Sequence, residues 1–254
     1  MKLIKPTWVE QFPGLTVAQT TRAGGVSKPP YSSLNFSVAV GDRPAEVQNN
    51  HQILADTLGF EVDNMAGGHQ VHGASIAHVD QGGRYDGFDA FVTSESGLLL
   101  GVTVADCVPV LIVDHRLRAV AAVHAGWRGT VARIASKTLQ YMCDQFGTEA
   151  ADCWAFVGAA IGYEDYEVGP EVAEHFDTQH KRKKANAGKH LVDLKGANRS
   201  QLAEAGIPQA QIEVCPISTY THSDLIFSHR AAAGQANGRG LAVIGYQNSL
   251  PDED

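Results

Sequence analysis

Three residues carry donor atoms that bind borderline-soft metal ions, and each sits beside a polar or glycine-rich turn. His72 lies in Gly68-His69-Gln70-Val71-His72-Gly73, and Cys107 ends the turn Ala105-Asp106-Cys107 between two apolar runs. His124 closes Ala119-Val120-Ala121-Ala122-Val123-His124, just before Ala125-Gly126-Trp127-Arg128-Gly129. Two imidazoles and a thiolate suit zinc, and three protein ligands leave a fourth position for water or substrate, the arrangement of catalytic zinc. The same residues also suit a Cys107 thiolate nucleophile with His124 as its base. Three satisfied core groups are the structural alternative, since free cysteine is among the most buried residue types. The separations, 35 residues from His72 to Cys107 and 17 from Cys107 to His124, match no zinc-finger spacing and do not choose among these options.

Two arginines stand beside glycine turns. Gly126-Trp127-Arg128-Gly129-Thr130 leads into a helical pattern, so its backbone N–H groups and the Arg128 guanidinium form a candidate seat for phosphate or carboxylate. Arg22 precedes Ala23-Gly24-Gly25 at the end of an apolar run, where a plain loop turn also accounts for the pattern.

These residues need elements to hold them. Short apolar, β-branched stretches at 15–20, 90–93, 98–104, 108–113, 119–124, 212–215, 225–228 and 241–246 predict strands. Residues 43–58 predict a helix capped by Asp42, with Pro44 in its first turn and Gly59 past its end. A second helix is expected over 130–146 before Gly147, a third from an Asp193 cap to Gly206, and a short one from Pro170. The three strands within 98–124 are joined by short turns with no helix between them, which requires antiparallel or mixed pairing. A mixed-sheet α/β or α+β sandwich is therefore expected, with one domain over 1–254 as the default because no internal repeat or long linker divides the chain. The basic run Lys181-Arg182-Lys183-Lys184 reads as a solvated loop.

Composition limits the function classes. The chain has 254 residues, 44% hydrophobic and 19% charged, which excludes disordered and fibrous classes. A net charge of −8 argues against a nucleic-acid or anionic-membrane binder, while leaving room for a local anion pocket. The apolar run 97–113 is broken by Thr103, Asp106 and Pro109, so no membrane span is expected, and the N-terminal residues carry no secretory pattern. The expectation is a cytoplasmic protein, monomer or weak homodimer, whose four scattered cysteines are thiols.

Ordered blocks along nearly the whole chain resemble the YfiH-type family, also called the multicopper-polyphenol-oxidase or laccase-domain family. They are Thr21-Arg22-Ala23-Gly24-Gly25-Val26-Ser27, Leu34-Asn35, Gly41-Asp42, Gln70-Val71-His72-Gly73, Asp89-Ala90, Ala105-Asp106-Cys107-Val108-Pro109 and His124-Ala125-Gly126-Trp127-Arg128-Gly129. The resemblance implies one zinc ion on His72, Cys107 and His124, and an α+β fold, a mixed-sheet layered α/β/β/α sandwich treated as a single domain. It also implies purine nucleoside phosphorylase activity on adenosine, inosine, guanosine and methylthioadenosine, with deamination of adenosine. The chain departs from the family pattern at 159–160 and in Phe227-Ser228-His229-Arg230-Ala231, where a His replaces a Tyr and one Arg is missing.

For that chemistry, Arg22 and Arg128 suit phosphate, and Asn35 and Gln70 suit ribose hydroxyls or purine edges. Asp106 suits proton transfer beside catalytic Cys107 and His124, or else orientation of its turn. Copper is the alternative metal, since Cu²⁺ outranks Zn²⁺ at most nitrogen and sulfur sites, yet the 11 histidines contain no His-x-His pair of the kind multicopper oxidases use. Some relatives are described as peptidoglycan editing hydrolases that remove L-serine from UDP-MurNAc precursors, which sets a rival reaction at the same centre. A non-enzymatic module would saturate the metal with a fourth ligand such as His69.

Overall fold

The computed structural model describes residues 1–184 and 188–248. Two six-stranded mixed sheets lie face to face. The first runs, edge to edge, through Leu3–Ile4, Leu15–Thr20, Gly240–Tyr246, Leu99–Val104, Met65–Gly67 and Gly83–Arg84. The second runs through Ile212–Val214, Cys153–Val157, Val108–Asp114, Ala119–Ala125, Ala90–Thr93 and Ile76–His78. A small sheet of Glu167–Val168, His190–Val192 and Lys181–Lys183 joins the second sheet's outer side through Val168 and Val192.

The alternation of side chains along a strand builds the layers. In Ala119–Ala125, Val120 and Ala122 enter the core between the sheets, while Ala121 and Val123 face the helices Ile134–Phe146 and Leu194–Glu204. In Gly240–Tyr246, Ala242 and Ile244 enter the inter-sheet core, while Leu241 and Val243 meet the helix Pro44–Leu58 through Leu54 and Leu58. The result is the expected α/β/β/α sandwich. The same parity puts His124 on the inter-sheet side, at the end of its strand. No helix among the described residues is long and apolar enough to cross a membrane.

Several expected elements change character. Strands 98–104 and 108–113 form as Leu99–Val104 and Val108–Asp114 but do not pair: the turn between them carries the chain from one sheet to the other. Asp106 makes that crossing with φ +88°. The helix expected over 130–146 is two, Trp127–Val131 and Ile134–Phe146, with Arg133 left-handed at φ +59° between them. Partners distant in sequence hold that break, because Gln201 Nε2 donates to the Thr130 carbonyl (2.9 Å) and Asn198 Nδ2 to the Thr130 hydroxyl (2.9 Å).

Residues 225–228 are not a strand. Their apolar side chains Ile226 and Phe227 are buried, but the Leu225 and Ile226 N–H groups turn back to the His222 carbonyl. Lys181–Lys183 is a strand rather than a loop, its charge spread by Arg182–Glu164 and Lys184–Glu167 pairs. The helix Pro44–Leu58 is preceded by Arg43 in the cap position, and Asp42 instead bonds Asn35 and the Arg43 N–H. Gly59 and Gly147 end their helices left-handed, as their positions predict.

Leu111 is fully buried between the sheets. Leu111→Ala is expected to lower unfolding free energy by roughly 2–5 kcal/mol, read from denaturant titration. A loss below about 1 kcal/mol would mean that the inter-sheet layer is not close-packed there.

Candidate functional site

The crossing turn, the end of Ala119–Ala125 and the loop after Met65–Gly67 converge. Their donor atoms, one each from His72, Cys107 and His124, lie within 4.8 Å of one another. The two imidazoles meet edge to face at 4.9 Å. His124 is buried, Cys107 half-buried and His72 exposed, so the group opens on one side.

Asp89 holds this group together. It is fully buried at the start of Ala90–Thr93. Its Oδ2 accepts the N–H groups of Val71 (3.2 Å) and Gly73 (2.7 Å). Its Oδ1 accepts the His72 N–H (2.9 Å) and the His124 Nδ1–H (2.8 Å). Three consecutive N–H groups can converge on one carboxylate because His72 is left-handed, φ +59°. The His124 bond commits Nδ1 and leaves Nε2 as the ligand atom. Burial alone would raise the Asp89 carboxyl, and the bonds from His124, Gly73 and Val71 outweigh it, so it lies below the usual carboxylate range.

Burial also disfavours a Cys107 thiolate, but the charges and hydrogen bonds of His124 and His72 bring the thiol down to about 6. For His124, burial opposes protonation, while Cys107 and Asp89 raise it to about 9. The site therefore stabilises a thiolate. Gly126 supplies the clearance: a Cβ there would stand 3.1 Å from Cys107 Sγ and 3.2 Å from His72 Cδ2. Two imidazoles, a thiolate and an open side fit a borderline divalent ion such as zinc or copper. His69 does not join the group among the described residues.

The group lies in a cavity of about 990 Å³, at the upper end of small-molecule sites. Gln70, Asp106 and Arg128 also line it, as expected, whereas Arg22 and Asn35 do not. Arg22 bonds the Ser32 and Ser223 carbonyls and lies over Phe227, tying two loops together. Asn35 is fully buried, donating to Asp42 and accepting the Arg239 N–H. The Gln70 amide is taken up by Thr103, which donates its N–H and hydroxyl to Oε1 and accepts from Nε2, so it fastens the His72 loop to Leu99–Val104.

Asp106 commits three of its roughly four carboxylate lone-pair sites to the protein itself. Oδ1 accepts the hydroxyls of Thr219 (2.6 Å) and Ser228 (2.7 Å), and Oδ2 accepts the Arg230 N–H (2.6 Å). It orients its surroundings. The anion seat expected at a long helix N-terminus is also reduced, because Trp127–Val131 spans only five residues. Arg128 itself reaches the cavity, stacked over Trp127 at 4.4 Å. Sequence reasoning missed Asp89, Tyr166 and Arg239 as site residues; of these, only Asp89 left a signal, an acidic residue directly before a buried strand.

Comparison with known proteins places this geometry. A family model described as multi-copper polyphenol oxidoreductase laccase matches residues 16–247. The chain belongs to this family. Within it, a purine nucleoside phosphorylase of Deinococcus radiodurans is 40% identical, over 92% of this chain and 90% of that protein. A protein named adenosine deaminase RL5, from an unknown prokaryotic organism, is 35% identical over 84% of this chain and 86% of its own. The crystal structure of YlmD from Geobacillus stearothermophilus superposes with a TM-score of 0.87 at 34% identity, covering 93% of each chain. The laccase-family chain thus shares the layered fold of YlmD.

Two outcomes test the centre. Asp89→Asn turns an acceptor into a donor against the His72 loop or His124, and metal affinity is expected to fall roughly 10–100-fold, measured by competition with a chelator. At pH 7.5 the Cys107 thiol, at about 6, is already ionised and His124, at about 9, still holds its proton. Zinc binding to the metal-free protein should then displace about one proton from His124, read by calorimetry in buffers of different ionisation enthalpy. No release would contradict the His124 assignment.

Proposed function

We propose that this chain is a zinc-dependent purine nucleoside phosphorylase that also deaminates adenosine. Its substrates are adenosine, inosine, guanosine and methylthioadenosine, and it works in the cytoplasm. The observation that carries the proposal is the one-sided His72–Cys107–His124 group, opening into a cavity large enough for a nucleoside and an anion together. The relatives named for phosphorolysis and for deamination support the two reactions.

A zinc ion on this group supplies a Lewis acid at the reacting atoms. The protein does the rest. In phosphorolysis a phosphate oxygen bonds to ribose C1′ as the glycosidic bond breaks, its electron pair leaving with the purine. Arg128 presents positive charge where the phosphate must sit. Tyr166 also lines the cavity, and burial, reinforced by Cys107, pushes its phenol up to about 12. It stays protonated at neutral pH and offers an O–H to a departing purine nitrogen. In deamination water adds at C6 and ammonia leaves. The recessed Cys107 and His124 exclude bulk water from one side of that centre, while His72 forms its lip.

Incubating the purified protein with adenosine, with and without phosphate, and separating the products tests the proposal. Adenine that appears only with phosphate, and inosine formed without it, are expected. Cys107→Ala should lower both rates by more than about 100-fold, since it removes a ligand rather than a supporting group. Products unchanged by that substitution, or release of serine from muropeptide precursors in place of base from nucleosides, would overturn it.

A further inference from the structure

We infer that Arg128, Arg230 and Arg239 together form a seat for a tetrahedral oxyanion, and that Asp106 assembles it. The inference rests on the phosphorylase proposal for the identity of the anion, inorganic phosphate, and on the structure for the place.

The chain carries a net charge of −8, so unpaired cations gathered in one cavity need a reason. Arg128, Arg230 and Arg239 all line the cavity of the metal-ligand group. Among the described residues, no carboxylate side chain pairs with any of the three; the ion pairs instead involve arginines at 43, 84, 116, 133 and 182. Each of the three is held by contacts that leave much of its donor fork unused. Arg230 gives one nitrogen to the Glu167 carbonyl (3.0 Å) and lies over the Tyr166 ring at 5.3 Å. Arg239 gives one nitrogen to the Asn237 and Gly238 carbonyls. Arg128 rests on Trp127, whose other stacking partner is His175. A guanidinium has five N–H donors, so most remain for a ligand.

Arg128 stands on the short helix Trp127–Val131, whereas Arg230 and Arg239 are placed by polar anchors rather than by helix or strand. Arg230 is positioned by its own N–H on Asp106, with Thr219 and Ser228 fixing the neighbouring chain on the same carboxylate. Arg239 is positioned by its N–H on buried Asn35. Arg239 lines the same cavity as the metal-ligand group, and although burial pushes its guanidinium below the ordinary range, Asp106 and Cys107 oppose that shift. Three guanidinium groups line the cavity and present planar forks that suit the oxygens of a phosphate, which carries about 1.5 to 2 negative charges at neutral pH.

The experiment is calorimetric titration of the zinc-loaded protein with inorganic phosphate alone, repeated with Arg230→Met, Arg239→Met, Arg230→Lys and Asp106→Asn. Arg199→Met, on an exposed helix position outside the cavity, controls for bulk charge. Each methionine variant is expected to raise the phosphate Kd by about 10- to 100-fold with zinc content unchanged. Arg230→Lys should lie between, keeping the charge but losing the fork. Asp106→Asn should weaken phosphate in the same direction, because an amide N–H would face the Arg230 N–H or the Thr219 and Ser228 hydroxyls. Unaltered phosphate affinity in both methionine variants, or a loss no greater than that of Arg199→Met, would overturn the seat. Phosphate binding that depends on these arginines while no nucleoside is cleaved would uphold the seat and sink the phosphorylase proposal. Phosphorolysis with an unchanged phosphate KM in the variants would do the reverse.

Discussion

A single buried carboxylate organises this protein's centre. Leaving an ionised Asp89 in the interior without partners would cost several kcal/mol, so the chain around it is arranged to supply donors. Three come from consecutive backbone N–H groups at 71–73, which only a left-handed residue at 72 can aim together, and the fourth comes from an imidazole 52 residues further on. Satisfying one anion thereby sets the backbone of one candidate donor, His72, and the tautomer of another, His124. The ligand geometry follows from that electrostatic requirement, with Gly126 needed only to keep the space clear.

A mixed-sheet sandwich was legible in the tight turns between apolar runs, and the α/β/β/α order in the family resemblance; strand parity, a local property, is what builds those layers. Val120, Ala122 and His124 share a face whatever surrounds them, and an apolar strand covered on both sides must lie inside a sandwich. The change of sheet at Asp106 was not legible, since short turns between apolar runs ordinarily mean a hairpin. What overrides that rule is a positive φ together with hydroxyls from Thr219 and Ser228, more than 110 residues away. The break at Arg133 is similar: Ala132 and Arg133 are good helix formers, and the partners that Asn198 and Gln201 give to buried Thr130 at the break lie more than 60 residues away.

The site was half legible for a related reason. Residue type alone singled out His72, Cys107 and His124, because few other side chains bind such ions. Polar residues with many uses were harder to place. Arg22 and Asn35 occupy persuasive turn motifs but spend their hydrogen bonds on loop carbonyls and buried partners. Arg230 and Arg239 lie in a stretch, 216–239, without helix or strand among its residues, where neither periodicity nor spacing gives a signal. Metal donors on sheet ends and turn, and cations on an irregular segment, separate two kinds of demand: the former must stay rigid, while the latter can vary in sequence without disturbing the core.

The graded exposure of the three donors has a kinetic side under the proposed function. With His124 sealed, Cys107 half-covered and His72 at the surface, the donor that would detach from an ion with least disturbance is His72. An ion would then enter and leave through the cavity mouth, with no unfolding of the sheets. A small chelator entering by that route would compete while two protein donors still held. The ion found in a preparation would accordingly record which metals the protein last met as well as which it prefers.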